Sequence, residues 1–299
     1  MDESKPSIWF FGDLGDSFVA LIADSAPGEA EVGLHDAAGP LPGLPHESGE
    51  PPGAVVVHRN SLATADLKML EHWRSRLGSR TPIVLCVSPF ARYAEIARAN
   101  RVVNAVVPEA TAVDSLAHRL ARLMGFDEPG GQPSYPFRIE VSSGLYEMGR
   151  VMVEACSRAG FKAELVDDLI EISQARGKRG RDRGSDRVLT IWDVPLLERG
   201  WRGALEARVR ATGPVIAVFA FADRGAVTSA WDAGAAACLD SPGDFELLTD
   251  VVSWIARSYP IERWPVPARL ERAHAVPPSR KQGSRSIVAN DESRPPGKR

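Results

Sequence analysis

The sequence predicts an α/β protein of two doubly wound, five-stranded parallel sheets followed by a disordered tail. Three observations carry this. Short, uninterrupted apolar runs alternate with amphipathic stretches, as expected of parallel strands buried on both faces and the helices that cover them. The alternation runs through once and then again. A Gly/Pro-rich stretch, GFDEPGGQPSYP, separates the two passes.

In the first pass, apolar runs at 8–11, 31–34, 54–58, 83–87 and 104–107 read as strands, and 17–26, 64–77, 91–100 and 112–124 as helices. The stretch DAAGPLPGLPHESGEPPG at 36–53 is too rich in Gly and Pro for a full helix, so the second helix is expected to be short or missing. In the second pass the strands fall at 137–141, 162–166, 188–192, 214–220 and 236–239. Leu145, Met148, Met152, Ala155 and Ala159 form one helical stripe, and Phe245, Leu248, Val252 and Ile255 another. The expected organisation is a domain at 5–125, a linker at 126–136, a second domain at 137–260 and a basic tail at 265–299. That tail has little apolar periodicity and many Pro, Ser and Arg, too little buried surface to offset chain entropy.

Composition narrows the function classes. Of 299 residues, 44% are hydrophobic and 25% charged, with a formal net charge of -3, so no global field points to nucleic acid or an acidic membrane. No apolar run reaches the roughly 18 residues of a membrane span, and the acidic start MDESKPSIWFFGD is unlike a secretory leader. Three cysteines, Cys86, Cys156 and Cys238, form no CxxC pair. Their positions suit core packing in a reducing cytoplasm rather than disulfides or zinc.

The second pass resembles the response-regulator receiver family, the CheY-like fold. The stretch FRIEVSSGLYEMGRVMVEACSRAGFKAELVDD is similar to a receiver's first strand, first helix and second strand. VLTIWDVPLLERGW resembles the third strand and its proline turn, and GPVIAVFAFADRGAVTSAWDAGAAACLDSPGDFELL the fourth strand through the start of the fifth helix. AWDAGAAACLDSP is the most specific piece. The first pass carries a weaker resemblance through TPIVLCVS and NAVVPEATAVDSLAHRLARL. The resemblance implies a flavodoxin-like sheet of order 2-1-3-4-5 with its chemistry at the carboxyl ends of the strands.

The resemblance also implies which positions should react. A working receiver has an acidic pair after strand one for Mg²⁺, an acceptor aspartate ending strand three, a Ser or Thr ending strand four, and a Lys before a Pro after strand five. Metal and lysine serve to neutralise the transferring phosphoryl group. Here the acidic pair falls on Ser142 and Ser143, and the Ser/Thr position on Phe219. The Lys position is Ser241, before Pro242. Counting back from Pro195 puts Ile191 in the acceptor's place and leaves Asp193 in the loop beyond it. In the first pass Asp13 stands for one acid and His58 for the acceptor, and no Lys follows strand five. Both halves therefore read as degenerate, with no cofactor and no bound metal expected.

Other chemistries are weaker readings. Asp13, His58 and Ser88 at neighbouring strand ends form an acid–base–nucleophile combination, but Ser88 lies in CVSPF rather than GxSxG, and Pro89 has no N–H for an oxyanion. Asp193 and Asp240 lie two strand spacings apart in the expected order, roughly 10 Å, too far to share Mg²⁺. Asp167 and Asp168 read as helix caps. No phosphate-cradling glycine motif is present. The basic loop GKRGRDRGSDR reads as solvated.

The expectation is a cytoplasmic signalling adaptor without catalytic activity. Its partners would be a histidine kinase, a receiver, an output protein or a second copy. The resemblance points to 226–233 and 245–258 as the docking face, with Trp231 and Trp254 as anchors. A small-molecule sensor using the emptied pocket is the alternative, and a divergent α/β enzyme a third reading.

Overall fold

The computed structural model describes residues 5–45, 51–89, 91–126, 137–166, 187–241 and 245–258. Its first half runs β1 (Ser7–Gly12), α1 (Ser17–Asp24), β2 (Glu31–Asp36), β3 (Ala54–Arg59), α2 (Thr64–Leu77), β4 (Ile83–Val87), α3 (Tyr93–Ala99) and β5 (Ala105–Pro108). A 3₁₀ turn at Glu109–Thr111 then leads into α4 (Ala112–Met124). The second half runs β6 (Phe137–Ser142), α5 (Tyr146–Arg158), β7 (Lys162–Leu165), β8 (Arg187–Val194), α6 (Trp201–Thr212), β9 (Val215–Ala220), α7 (Arg224–Asp232), β10 (Ala237–Ser241) and α8 (Phe245–Ser258).

Each half forms one five-stranded sheet, ordered β2-β1-β3-β4-β5 and β7-β6-β8-β9-β10, with every pair parallel. Both are the 2-1-3-4-5 order of flavodoxin-like folds, which turns the carboxyl ends of the strands toward one edge. The hydropathy pattern explains the order. Every residue of β3 and β4, which lie inside the sheet, is buried, whereas the outer strands β2 and β7 are half-exposed and carry Glu, His and Lys. Separate apolar clusters cover the two faces of each sheet. Large side chains such as Trp73, Phe10, Phe219 and Ile139 are fully buried, each contributing about 1.5–3 kcal/mol on leaving water.

Local chemistry sets the boundaries. Asp16 and Asp223 cap α1 and α7 through Phe18 N (2.9 Å) and Ala226 N (2.8 Å). Gly234, in the AGA turn before β10, has φ 95°, which a side chain would strain, and an added Cβ would lie 3.2 Å from Val209 Cγ1. No helix forms among the described residues between β2 and β3. That segment is tied down by polar contacts instead: Arg59 donates to the Ala37 carbonyl, and Asp66 accepts Leu41 N at 3.2 Å.

The second half's second helix, Asp167 and Asp168, residues 177–186 of the basic loop, linker residues 127–136 and the tail at 265–299 lie outside the described residues. Among the described residues no helix is long and apolar enough to cross a membrane. All three cysteines are buried free thiols. Desolvation pushes Cys86 and Cys156 up to about 12 and raises Cys238 well above the usual thiol range, so they pack rather than react.

Candidate functional site

The carboxyl edge of each sheet is where this topology places chemistry, and the two edges differ. In the second half, β8 runs on through three ladder pairs past Ile191: Trp192 opposes Ala217, Asp193 opposes Val218, and Val194 opposes Phe219. Asp193 is therefore a strand residue at the sheet edge, which corrects its placement in the loop. The strand runs on to Val194 because the ladder to β9, not the proline, decides where it ends. Ile191 is 0% exposed, flanked by Val141 and Ile216 in the core. Asp193 stands two residues further on along the same face.

Around Asp193 the sequence-predicted positions converge in part. Ser143 Oγ donates to Asp193 Oδ2 at 2.7 Å and accepts Leu145 N at 3.1 Å. Ser142 is buried opposite Trp192, and Ser241 is buried opposite Ala220. Phe219 is fully buried, with Trp201 edge-on at 5.8 Å. Asp240, next to Ser241, is pushed up to about 6 by burial, against hydrogen bonds from the Ser241 and Phe221 backbones. The cavity lined by Met148, Met152, Asp240, Ser241 and Phe245 holds about 20 Å³, room for roughly one water, so the geometry does not favour a ligand there. Among the described residues no cluster of three His, Cys, Asp or Glu side chains is placed to hold a metal ion.

The first half's edge is closed by the second half. His58 is 2% exposed and Glu109 1%, and His58 Nε2 meets Glu109 Oε2 at 2.7 Å. Arg224, at the start of α7, donates to the other Glu109 oxygen, pairs with Asp16 at 2.8 Å and lies 4.7 Å over the Phe18 ring. Burial raises the Glu109 carboxyl, but the hydrogen bonds from His58 and Arg224 more than reverse this and leave it below its ordinary range. Asp16 likewise ends up lowered: desolvation opposes the ionised form, and Arg224 and the Phe18 N–H outweigh it. The Asp13–His58–Ser88 set is not assembled. Asp13 accepts Gly15 N at 2.9 Å, Ser88 Oγ donates to the Asn60 carbonyl at 3.0 Å, and His58 turns to Glu109.

The two tryptophans expected to anchor a partner are engaged within the chain. Trp231 Nε1 donates to Asp114 Oδ2 at 2.9 Å and its ring stacks on Phe18 at 6.3 Å, while Trp254 meets His118 edge-on at 5.9 Å. Arg122 of α4 pairs with Glu246 and Asp250 of α8, and Ala110 sits in the second half's core. The outer strand β10 would otherwise offer unpaired N–H groups to any strand. Asp114 Oδ2 accepts one of them, Cys238 N, at 2.8 Å. Sequence reading missed Asp114, Arg122, Glu109 and Arg224 as a set, because each alone looks like an ordinary surface charge on a helix end.

The fold and the edges thus define a tandem of flavodoxin-like α/β domains that resembles response-regulator receivers in strand order and strand content. No family model matches the chain, and neither does any curated protein. Similar solved structures include the E. coli RcsC C-terminus containing its linker region and phosphoreceiver domain. It is 16% identical over 87% of this chain and 96% of that one, with a TM-score of 0.33. A response regulator protein from Burkholderia multivorans is 19% identical over 42% of this chain and 96% of that one, with a TM-score of 0.30.

Proposed function

We propose that the chain is a pseudo-receiver: a signalling adaptor without catalytic activity that works in a two-component (phosphorelay) setting by protein–protein contact, with no aspartate phosphorylation. The observation that carries this reading is the closure of the first sheet edge, where Arg224 takes up Glu109 and Asp16 across the seam. Acids engaged in this way hold the two halves together instead of holding Mg²⁺. In the second half Asp193 has Ser142 and Ser143 where a receiver has its acidic pair, and Ser241 where it has its lysine. Hydroxyls do not replace the charges that phosphoryl transfer requires.

The partners fitting this reading are a histidine kinase, a receiver, an output protein or a second copy, met in the cytoplasm. Because the α7–β10–α8 face packs on the first half, docking falls to the exposed side chains Leu145 and Tyr146 at the start of α5 and Leu197 in the turn after β8. Incubation with acetyl phosphate and Mg²⁺ should leave the chain without acid-labile phosphate. Stoichiometric label on Asp193, absent from Asp193→Ala, would overturn the reading. Affinity capture of the full chain should return a histidine kinase, receiver or output protein reproducibly, and less of it from Tyr146→Asp. Capture of none of these removes the reading's main support.

A further inference from the structure

Beyond the Asp193 edge, an open groove of about 360 Å³ lies between the start of α6 and the start of α7. Leu196, Trp201, Phe221, Asp223, Ala226 and Ser229 line it. Its volume falls in the range of small-molecule sites, whereas the cavity beside Ser241 holds only about 20 Å³.

Three features of the lining point to one ligand class. Phe221 is 86% exposed on a backbone of φ 60°, a left-handed conformation that a phenylalanine rarely adopts. Such an outlier is a reason to look for function. Trp201 supplies a second aromatic wall. Asp223 supplies a carboxylate, and one of its oxygens already accepts Ala226 N at 2.8 Å.

The electrostatics have a definite sign. Among the described residues no Lys, Arg or His lines the groove, and the neighbouring Arg224 is drawn across the seam to Glu109 and Asp16. The N-terminus of α7 carries a partial positive charge of roughly half a unit, which the full charge of Asp223 exceeds. A cation gains from the carboxylate and from aromatic surface, whereas an anion meets the carboxylate directly.

We propose that this groove binds a small organic cation, an ammonium group on an apolar body, held by Asp223 and walled by Trp201 and Phe221. The site is distinct from the altered receiver pocket and gives the adaptor a ligand input that does not depend on phosphorylation.

Ligand-observed NMR and calorimetry on the full chain test it, with choline and phenethylammonium as probes and 3,3-dimethyl-1-butanol as the uncharged counterpart of choline. Two variants keep the fold. Asp223→Asn retains a capping oxygen while removing the charge, and Phe221→Gly removes the ring while suiting the left-handed backbone. At least one ammonium should bind saturably below about 10 mM, roughly tenfold tighter than the neutral alcohol, and each variant should weaken it about fivefold or more with circular dichroism unchanged. The proposal is overturned if neither ammonium saturates, if the alcohol binds equally well, or if both variants bind like the parent.

Discussion

Arg224→Ala should split the unfolding of this protein into two transitions and lower the stability of the first half. The substitution leaves Glu109, 1% exposed, without its guanidinium partner and strips Asp16 of its ion pair. Removing one member of a buried pair costs about 3–5 kcal/mol. Arg224 is itself 35% exposed, so solvent screens part of the interaction, and about 2–3 kcal/mol is the expected loss. Urea denaturation followed by tryptophan fluorescence reads the loss. Hydrogen exchange should show the Cys238 N–H losing protection first, because it is satisfied across the same seam. Arg224→Lys should restore only part, since an ammonium lacks the fork that reaches Glu109 and Asp16 together. As a control, Arg158→Ala breaks an exposed pair with Glu154 and should change stability by less than about 0.5 kcal/mol. A single unshifted transition in Arg224→Ala would show that the ion pairs do not hold the halves together.

Asp114 should give the opposite kind of result: replacing it with Asn should stabilise the protein at pH 8, while Ala should destabilise it. Desolvation pushes this carboxyl up to about 6, against hydrogen bonds from Trp231 and the Cys238 N–H that lower it. A carboxyl with a raised folded pKa binds more protons folded than unfolded between its ordinary value of 3.8 and about 6. Its contribution to stability therefore falls as pH rises through that window, by at most about 3 kcal/mol. Both donors converge on Oδ2, so the carbonyl oxygen of Asn can accept both without a buried charge. Asp114→Asn should flatten the stability profile between pH 4 and pH 6, leaving the part due to Asp240, which is raised in the same sense. Asp114→Ala leaves two donors unmet at the seam, at a cost of about 1–3 kcal/mol. Asp16 and Glu109 act in the other direction. Their lowered pKa values stabilise the protein above their unfolded values, and that contribution is lost as pH falls through the folded ones. The parent should thus gain stability on mild acidification and lose it below about pH 4. A stability profile for Asp114→Asn that matched the parent's would refute this account.

Much of the fold was legible because the determining signals are local. The runs at 54–58 and 83–87 are apolar at nearly every position, and only a strand covered on both faces accommodates that, so β3 and β4 appeared where expected. The helices at Thr64–Leu77 and Ala112–Met124 coincide with their predicted spans, since a stop such as Gly125, at φ 74°, is written into the chain. The second candidate edge was harder to read. Asp193 was placed in a loop because a proline is a visible marker, while the ladder that extends β8 depends on β9, a strand some twenty residues further along the chain.

Sequence alone determined the two sheets, the helices that cover them among the described residues, and the core cysteines, because each follows from residue type and short-range periodicity. Only the tertiary structure decided how the halves meet, where Asp193 stands, and that Trp231 and Trp254 face Asp114 and His118 rather than an outside partner. Arg224 and Glu109 are separated by 115 residues, and a charge's partner at that range depends on which surfaces pack, which no local pattern encodes.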